Sequence, residues 1–196
     1  MPLIISVLAL VVSVCFAAFS FWQVKTAHET LVTVQRAFVF VKQMDSAVTM
    51  EGSNTLRGHN TPVWENSGNT PTKNLLIEGF CLLSKASVDN PFGDPQSTPA
   101  AGGDLRLLLG PKLTISGQDC GLRADLIEDV ARGGQHFYQW GYATYDDLFR
   151  SRHRTEFFVE ITNPRLVTSN NLVTFSRENV PCKKHNCADD DCPSQN

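Results

Sequence analysis

Two short stretches hold side chains suited to chemistry. The first is a predicted hairpin tip carrying Asp146, Asp147, Arg150, Arg152, His153 and Arg154. A carboxylate beside an imidazole is the raw material of general acid–base catalysis, because each tunes the proton affinity of the other. A hydrolase built on Asp147 and His153 is therefore one reading. It lacks a nucleophile of its own, and the chain has no Gly-x-Ser-x-Gly, His-Glu-x-x-His or phosphate-cradling glycine loop. Charged residues at a hairpin tip ordinarily pair with one another or with water. An intermediate reading has Arg150, Arg152, His153 and Arg154 touching anionic headgroups or an acidic partner.

The second stretch is the C-terminal tail, where Cys182, His185, Cys187 and Cys192 follow the spacing Cys-x2-His-x-Cys-x4-Cys. Three thiolates and an imidazole are a competent zinc set, although the single residue between His185 and Cys187 is cramped. Zinc is thus the one cofactor the sequence suggests. The competing expectation is an unstructured tail with redox-active or incidental thiols.

The elements that position these stretches begin with residues 3–24, an uncharged and almost wholly apolar run. As a helix it covers about 33 Å, against a hydrocarbon core of about 30 Å, so it is expected to be an uncleaved single-pass anchor in membrane lipid. Lys25, Arg36 and Lys42 follow the run and no basic residue precedes it, which predicts a cytoplasmic C-terminal domain, with a periplasmic one as the alternative. Cysteine usage points the same way. Cys15 lies in the run and five cysteines lie beyond it, an odd number that suits a reducing compartment.

The expected organisation is an anchor over residues 1–24, a helical stalk over 25–36, a β-sandwich over 37–178 and a tail over 179–196. Ala27, Leu31, Val34 and Phe38 share one face of the stalk, which allows a homo-oligomer through it. Beyond the stalk, strands are predicted at residues 36–41, 47–50, 75–83, 105–109, 112–115, 137–145, 155–161 and 172–175. Residues 52–60 read as a polar loop, and residues 84–104, rich in Pro and Gly, as a long excursion. Residues 124–132 form the one helix after the stalk, stopped by Gly133 and Gly134. Thr155, Phe157, Val159 and Ile161 alternate with Arg154, Glu156 and Glu160, while Phe158 breaks the polar face. Cys81 reads as a small buried hydrophobe. The fold class is mainly β: an antiparallel sandwich with one short helix behind the anchor. A net charge of −3 with no basic block excludes nucleic acid as a main partner.

The chain also resembles a group of uncharacterised single-pass membrane proteins of proteobacteria. The resemblance rests on Arg36-Ala37-Phe38-Val39, on Asn66, Gly68, Thr70 and Pro71, and on Gly141, Tyr145, Asp147, Phe149, His153 and Thr155. It implies an immunoglobulin-like β-sandwich on a membrane anchor and implies no activity. The function expected on these grounds is a non-enzymatic, membrane-tethered module that binds a protein partner or scaffolds a complex.

Overall fold

A computed structural model describes residues 2–52, 55–92, 98–99, 106–149, 151–170 and 172–192. They fall into two units, residues 1–36 and 37–196. The first is a single helix, α1 (Pro2–Gln35). The side chains of residues 3–9 and 11 lie outside the description, and among the described residues no helix is long and apolar enough to cross a membrane. The expectation of a transmembrane anchor is therefore not supported by the structure.

The second unit is mainly β, with every strand pair antiparallel. Its strands are β1 (Val39–Glu51), β2 (Thr55–Asn66), β3 (Lys73–Ser84), β4 (Thr98–Pro99), β5 (Thr114–Ser116), β6 (Cys120–Arg123), β7 (His136–Asp146), β8 (Arg152–Ser169), β9 (Leu172–Pro181) and β10 (Cys187–Ala188). One helix, α2 (Ala124–Ala131), follows β6, and a single 3-10 turn, Asp189–Asp191, follows β10. The first sheet runs β1-β2 with β5 and β6 both on β2; the second runs β10-β8-β7-β3-β4 with β9 also on β8.

Between the sheets lie two apolar clusters, one around Trp64, Leu75, Tyr145 and Phe157, the other around Leu122, Ile127, Phe137 and Phe175. Trp64 meets Phe157 edge to face at 5.5 Å. The sheets approach closely where Phe175 lies over Gly58: a β-carbon there would sit 2.5 Å from its ring, so any larger residue must push β9 away. Polar groups also enter the interior. Buried Asn60 donates to Gln139 Oε1 at 2.7 Å and accepts from Arg177 Nε at 2.6 Å. Burial lowers the Arg177 pKa, and nearby Asp45 opposes that shift. The paired groups replace water that a sandwich core excludes.

The second sheet is covered on its other face too. Tyr138, Trp140, Phe158 and Leu82 are buried there, packed by Val88, Phe92 and Cys182. This explains Phe158, which faces a second apolar layer rather than solvent. It also anchors the start of the predicted 84–104 excursion: Phe92 lies 4.2 Å from Trp140, while residues 93–97 and 100–105 fall outside the description.

Two further expectations change. Residues 55–60 belong to strand β2, paired antiparallel with β1, and Gly52, just after the end of β1, is left-handed at φ 66°. Cys81 is bonded to Cys120, joining β3 of one sheet to β6 of the other, and Cys187 is bonded to Cys192. Of the five cysteines beyond α1, only Cys182 is free. The odd count thus reflects two pairs and one spare thiol.

Candidate functional site

The β7–β8 hairpin places Tyr145 opposite His153 and Asp146 opposite Arg152. The turn between them is set by Asp147, whose Oδ1 accepts the backbone N–H of Phe149 at 2.8 Å and of Ser151 at 2.9 Å. Its other oxygen lies 3.0 Å from His153 Nε2. Burial alone would raise the Asp147 carboxyl, but the hydrogen bond and charge of His153, with the two backbone donors, outweigh it and hold the pKa below the usual 3.8. The opposite ring nitrogen, Nδ1, faces both carboxylate oxygens of Asp189, at 3.0 and 3.1 Å. Tyr145 stacks on the imidazole at 5.3 Å.

This geometry bears directly on the acid–base reading. Both nitrogens of His153 face carboxylates, and the ring and Asp147 are buried, so the pair has no nitrogen open to a nucleophile. A doubly protonated ring donates to both carboxylates; a neutral one reaches only one. As arranged, the group joins three segments of chain.

The four residues expected to meet headgroups or a partner are not brought together. Arg150 lies outside the described residues, and His153 points into the interior. Arg154 is on the opposite face of β8, with its Nε 2.7 Å from Glu156 Oε1 and its guanidinium 3.8 Å over the Tyr142 ring. Of the three that are described, Arg152 alone stands exposed.

Within the tail, residues 182–192 are packed against β8, in contrast to the unstructured tail expected. Asn186 acts as a missing strand: its Oδ1 accepts Phe158 N–H at 3.1 Å and its Nδ2 donates to Phe158 O at 3.0 Å. β10 then pairs with Glu156 and Thr155 on the same edge of β8. His185 and Asp189 hold left-handed φ values of 59° and 52°, a conformation that surrounding contacts must impose on a histidine. Those contacts are Glu156 Oε2, 2.8 Å from His185 Nδ1, and Phe92, whose ring lies tilted against the imidazole at 4.1 Å.

The four predicted zinc ligands are split as a result. Cys187 and Cys192 are bonded to each other, and His185 is engaged with Glu156. Cys182 lies in the outer apolar layer, where burial and the charges of Glu160 and Asp89 push its thiol up to about 11. Such a thiol is a poor ligand and a poor nucleophile at neutral pH. Glu156, read from sequence only as part of a polar face, is instead fully buried beside the tail disulfide.

A cleft of about 570 Å³ opens between β1 and β8, lined by Phe38, Phe40, Met44, Phe157, Val159 and Pro181 among others. Beside it β1 has β2 on one side and no strand on the other among the described residues. A further polar chain crosses the outer face of the first sheet: Thr49 Oγ1 is 2.6 Å from His59 Nε2, and His59 Nδ1 is 2.5 Å from Asp119 Oδ2. Its members come from β1, β2 and the residue just before β6, so no sequence spacing announces it. No family model, curated protein or solved structure matches this chain.

Proposed function

We propose that residues 37–192 form a non-enzymatic interaction module that docks an extended segment of a protein partner along the β1 edge. The observation carrying this reading is the cleft beside a strand edge that pairs with no further strand among the described residues: the backbone groups not already engaged, as Val39 N–H is by Tyr145 Oη and Met44 C=O by Arg177, offer affinity, and an apolar floor offers side-chain pockets. Lys42, paired with Glu65 at 2.7 Å, marks the bulge where the edge bends. An immunoglobulin-like description of the fold is supported by two antiparallel sheets joined through Cys81 and Cys120.

Tethering to a membrane rests on the apolar run of residues 3–24 and on α1 side chains such as Phe16, Phe19, Phe21 and Trp22, which stand exposed. Two disulfides favour an oxidising compartment, and on that ground we read the module as extracytoplasmic, against the charge-based sidedness. A Thr174→Cys variant tests this with a membrane-impermeant thiol reagent, because residue 174 is exposed: labelling in intact cells supports the reading, and labelling only after permeabilisation overturns it.

Photo-crosslinking in cells tests the docking surface. A photoreactive residue at Phe40 should give a discrete adduct, and one at Thr174, on the β8–β9 hairpin, should give none. Equal adducts from both positions, or none from Phe40, would sink the docking reading.

A further inference from the structure

The tail disulfide does not stand alone: Glu156 and the sulfurs of Cys187 and Cys192 all lie within 4.8 Å of one another. Cys187 Sγ is 3.8 Å from Glu156 Oε2. A tetrahedral zinc with Zn–S of about 2.3 Å and Zn–O of about 2.1 Å needs an S···O edge of about 3.6 Å. The Cys187 S···O distance is thus close to the required edge, and the two sulfurs, bonded to each other here, would separate to an S···S edge of about 3.8 Å once reduced; the donors are held by a strand on one side and a short loop on the other.

While the sulfurs are bonded to each other they carry no thiolate charge and bind zinc poorly. We propose that reduction of the Cys187–Cys192 bridge converts this cluster into a zinc site formed by Glu156, Cys187 and Cys192. In the reducing step a dithiol supplies two electrons and two protons and becomes a disulfide itself; Cys187 and Cys192 become thiols. Zinc binding then releases the two thiol protons to solvent and leaves two thiolates on the metal. A fourth position stays open to water or to a ligand from outside.

The surroundings fit this role. Glu156 is held by Arg154 on one oxygen and His185 on the other, the kind of hydrogen bonding that orients a ligating carboxylate. Cys187 and Glu156 also line the cleft, which gives an ion its path of entry. The two disulfides differ in access as well. Both sulfurs of the tail bridge belong to partly exposed residues, whereas the inter-sheet bridge has one partly exposed residue, Cys81, and one fully buried, Cys120, so the tail bridge is the more open to a reductant. The revised donor set replaces Cys182 and His185 with a glutamate, and it stands independently of the docking reading.

Cobalt titration of the whole protein provides the test, with reduction by a phosphine at a dose that mass analysis shows to leave Cys81–Cys120 closed. The reduced protein should bind one cobalt per chain with a thiolate charge-transfer band, and zinc should displace it. Oxidised protein should bind none. Cys192→Ser and Glu156→Gln should weaken cobalt binding by at least about tenfold, His185→Gln by about 10- to 100-fold, and Cys182→Ser not at all. Absence of the band in reduced protein overturns the proposal. So does full affinity in Cys192→Ser protein of unchanged circular dichroism, or loss of the band in Cys182→Ser.

Discussion

Asp189 sets its carboxylate against Nδ1 of His153 at 3.0 Å and accepts the backbone N–H of Arg154 at 3.2 Å, tying the tail to the β7–β8 hairpin. The contact is mostly shielded from water, so it is worth more than a surface pair. Asp189→Ala should therefore free the tail without unfolding the sandwich. Amide exchange across residues 182–192 should rise while β7 stays protected, at a cost of about 1–3 kcal/mol for a buried partner left unpaired. Unchanged exchange in the tail would show that Asn186 and the disulfide hold it unaided.

Asp147 gives the hairpin an acid dependence. Its folded pKa lies below 3.8, so the sign is that of a carboxylate stabilised by folding. The contribution is fully present above the unfolded value and is lost as pH falls from about 5 through the depressed folded value. Asp147→Asn should be less stable at neutral pH by about 1–3 kcal/mol, yet show a shallower decline in stability below about pH 5. Denaturant melts across that range measure both; parallel curves for variant and parent would reject the assignment.

The two disulfides should differ in weight. Cys81–Cys120 spans 39 residues and joins the sheets, whereas Cys187–Cys192 spans 5 within the tail. Loop-closure entropy gives about 4 kcal/mol for the first and about 2 kcal/mol for the second. Replacing each pair with serine and melting the proteins should reproduce that order, and a reversal would mean that the tail clasp, not the inter-sheet bridge, limits unfolding.

Much of this was legible beforehand. The alternation of Thr155, Phe157, Val159 and Ile161 fixed the inner face of β8, and residues 124–132 announced α2 because apolar positions recur at helical spacing before two glycines. The β1–β2 hairpin was not legible. In it, Gly58 and Asn60 face the interior, where Phe175 and Arg177 from distant β9 cover them, so a buried stretch reads as a polar loop. The cysteine pairs escaped for a similar reason: Cys81 and Cys120 meet only once two sheets stack. Of the candidate site, His153 and Asp147 were visible as neighbours, while Asp189 and Glu156 joined them only through the folding of the tail.

Tyr142 carries the opposite sign at high pH. Burial first, then the hydrogen bond and charge of Glu78, raise its phenol from 10.0 to about 12. A raised folded value means that its contribution is complete below pH 10.0 and is lost as pH climbs toward 12. Glu78→Gln removes the charge but not the burial. Its tyrosinate absorbance should appear at lower pH than in the parent, without returning to the free-tyrosine value.

The Thr49–His59–Asp119 chain has the order of a nucleophile, a base and an orienting carboxylate, and it is the sharpest challenge to a non-enzymatic reading. Against it, Thr49 is exposed on the solvent face of the sheet, where water screens developing charge that an enclosed site would stabilise. Thr61 also donates to Asp119 at 3.1 Å, as expected of a cross-strand polar ladder. Hydrolysis of p-nitrophenyl acetate should therefore proceed at rates within about tenfold in the parent, Thr49→Ala and His59→Ala proteins, since an aligned general base alone is worth about 100-fold or more. A burst of one nitrophenol per chain, abolished by Thr49→Ala, would make this protein an acyl-transfer enzyme instead.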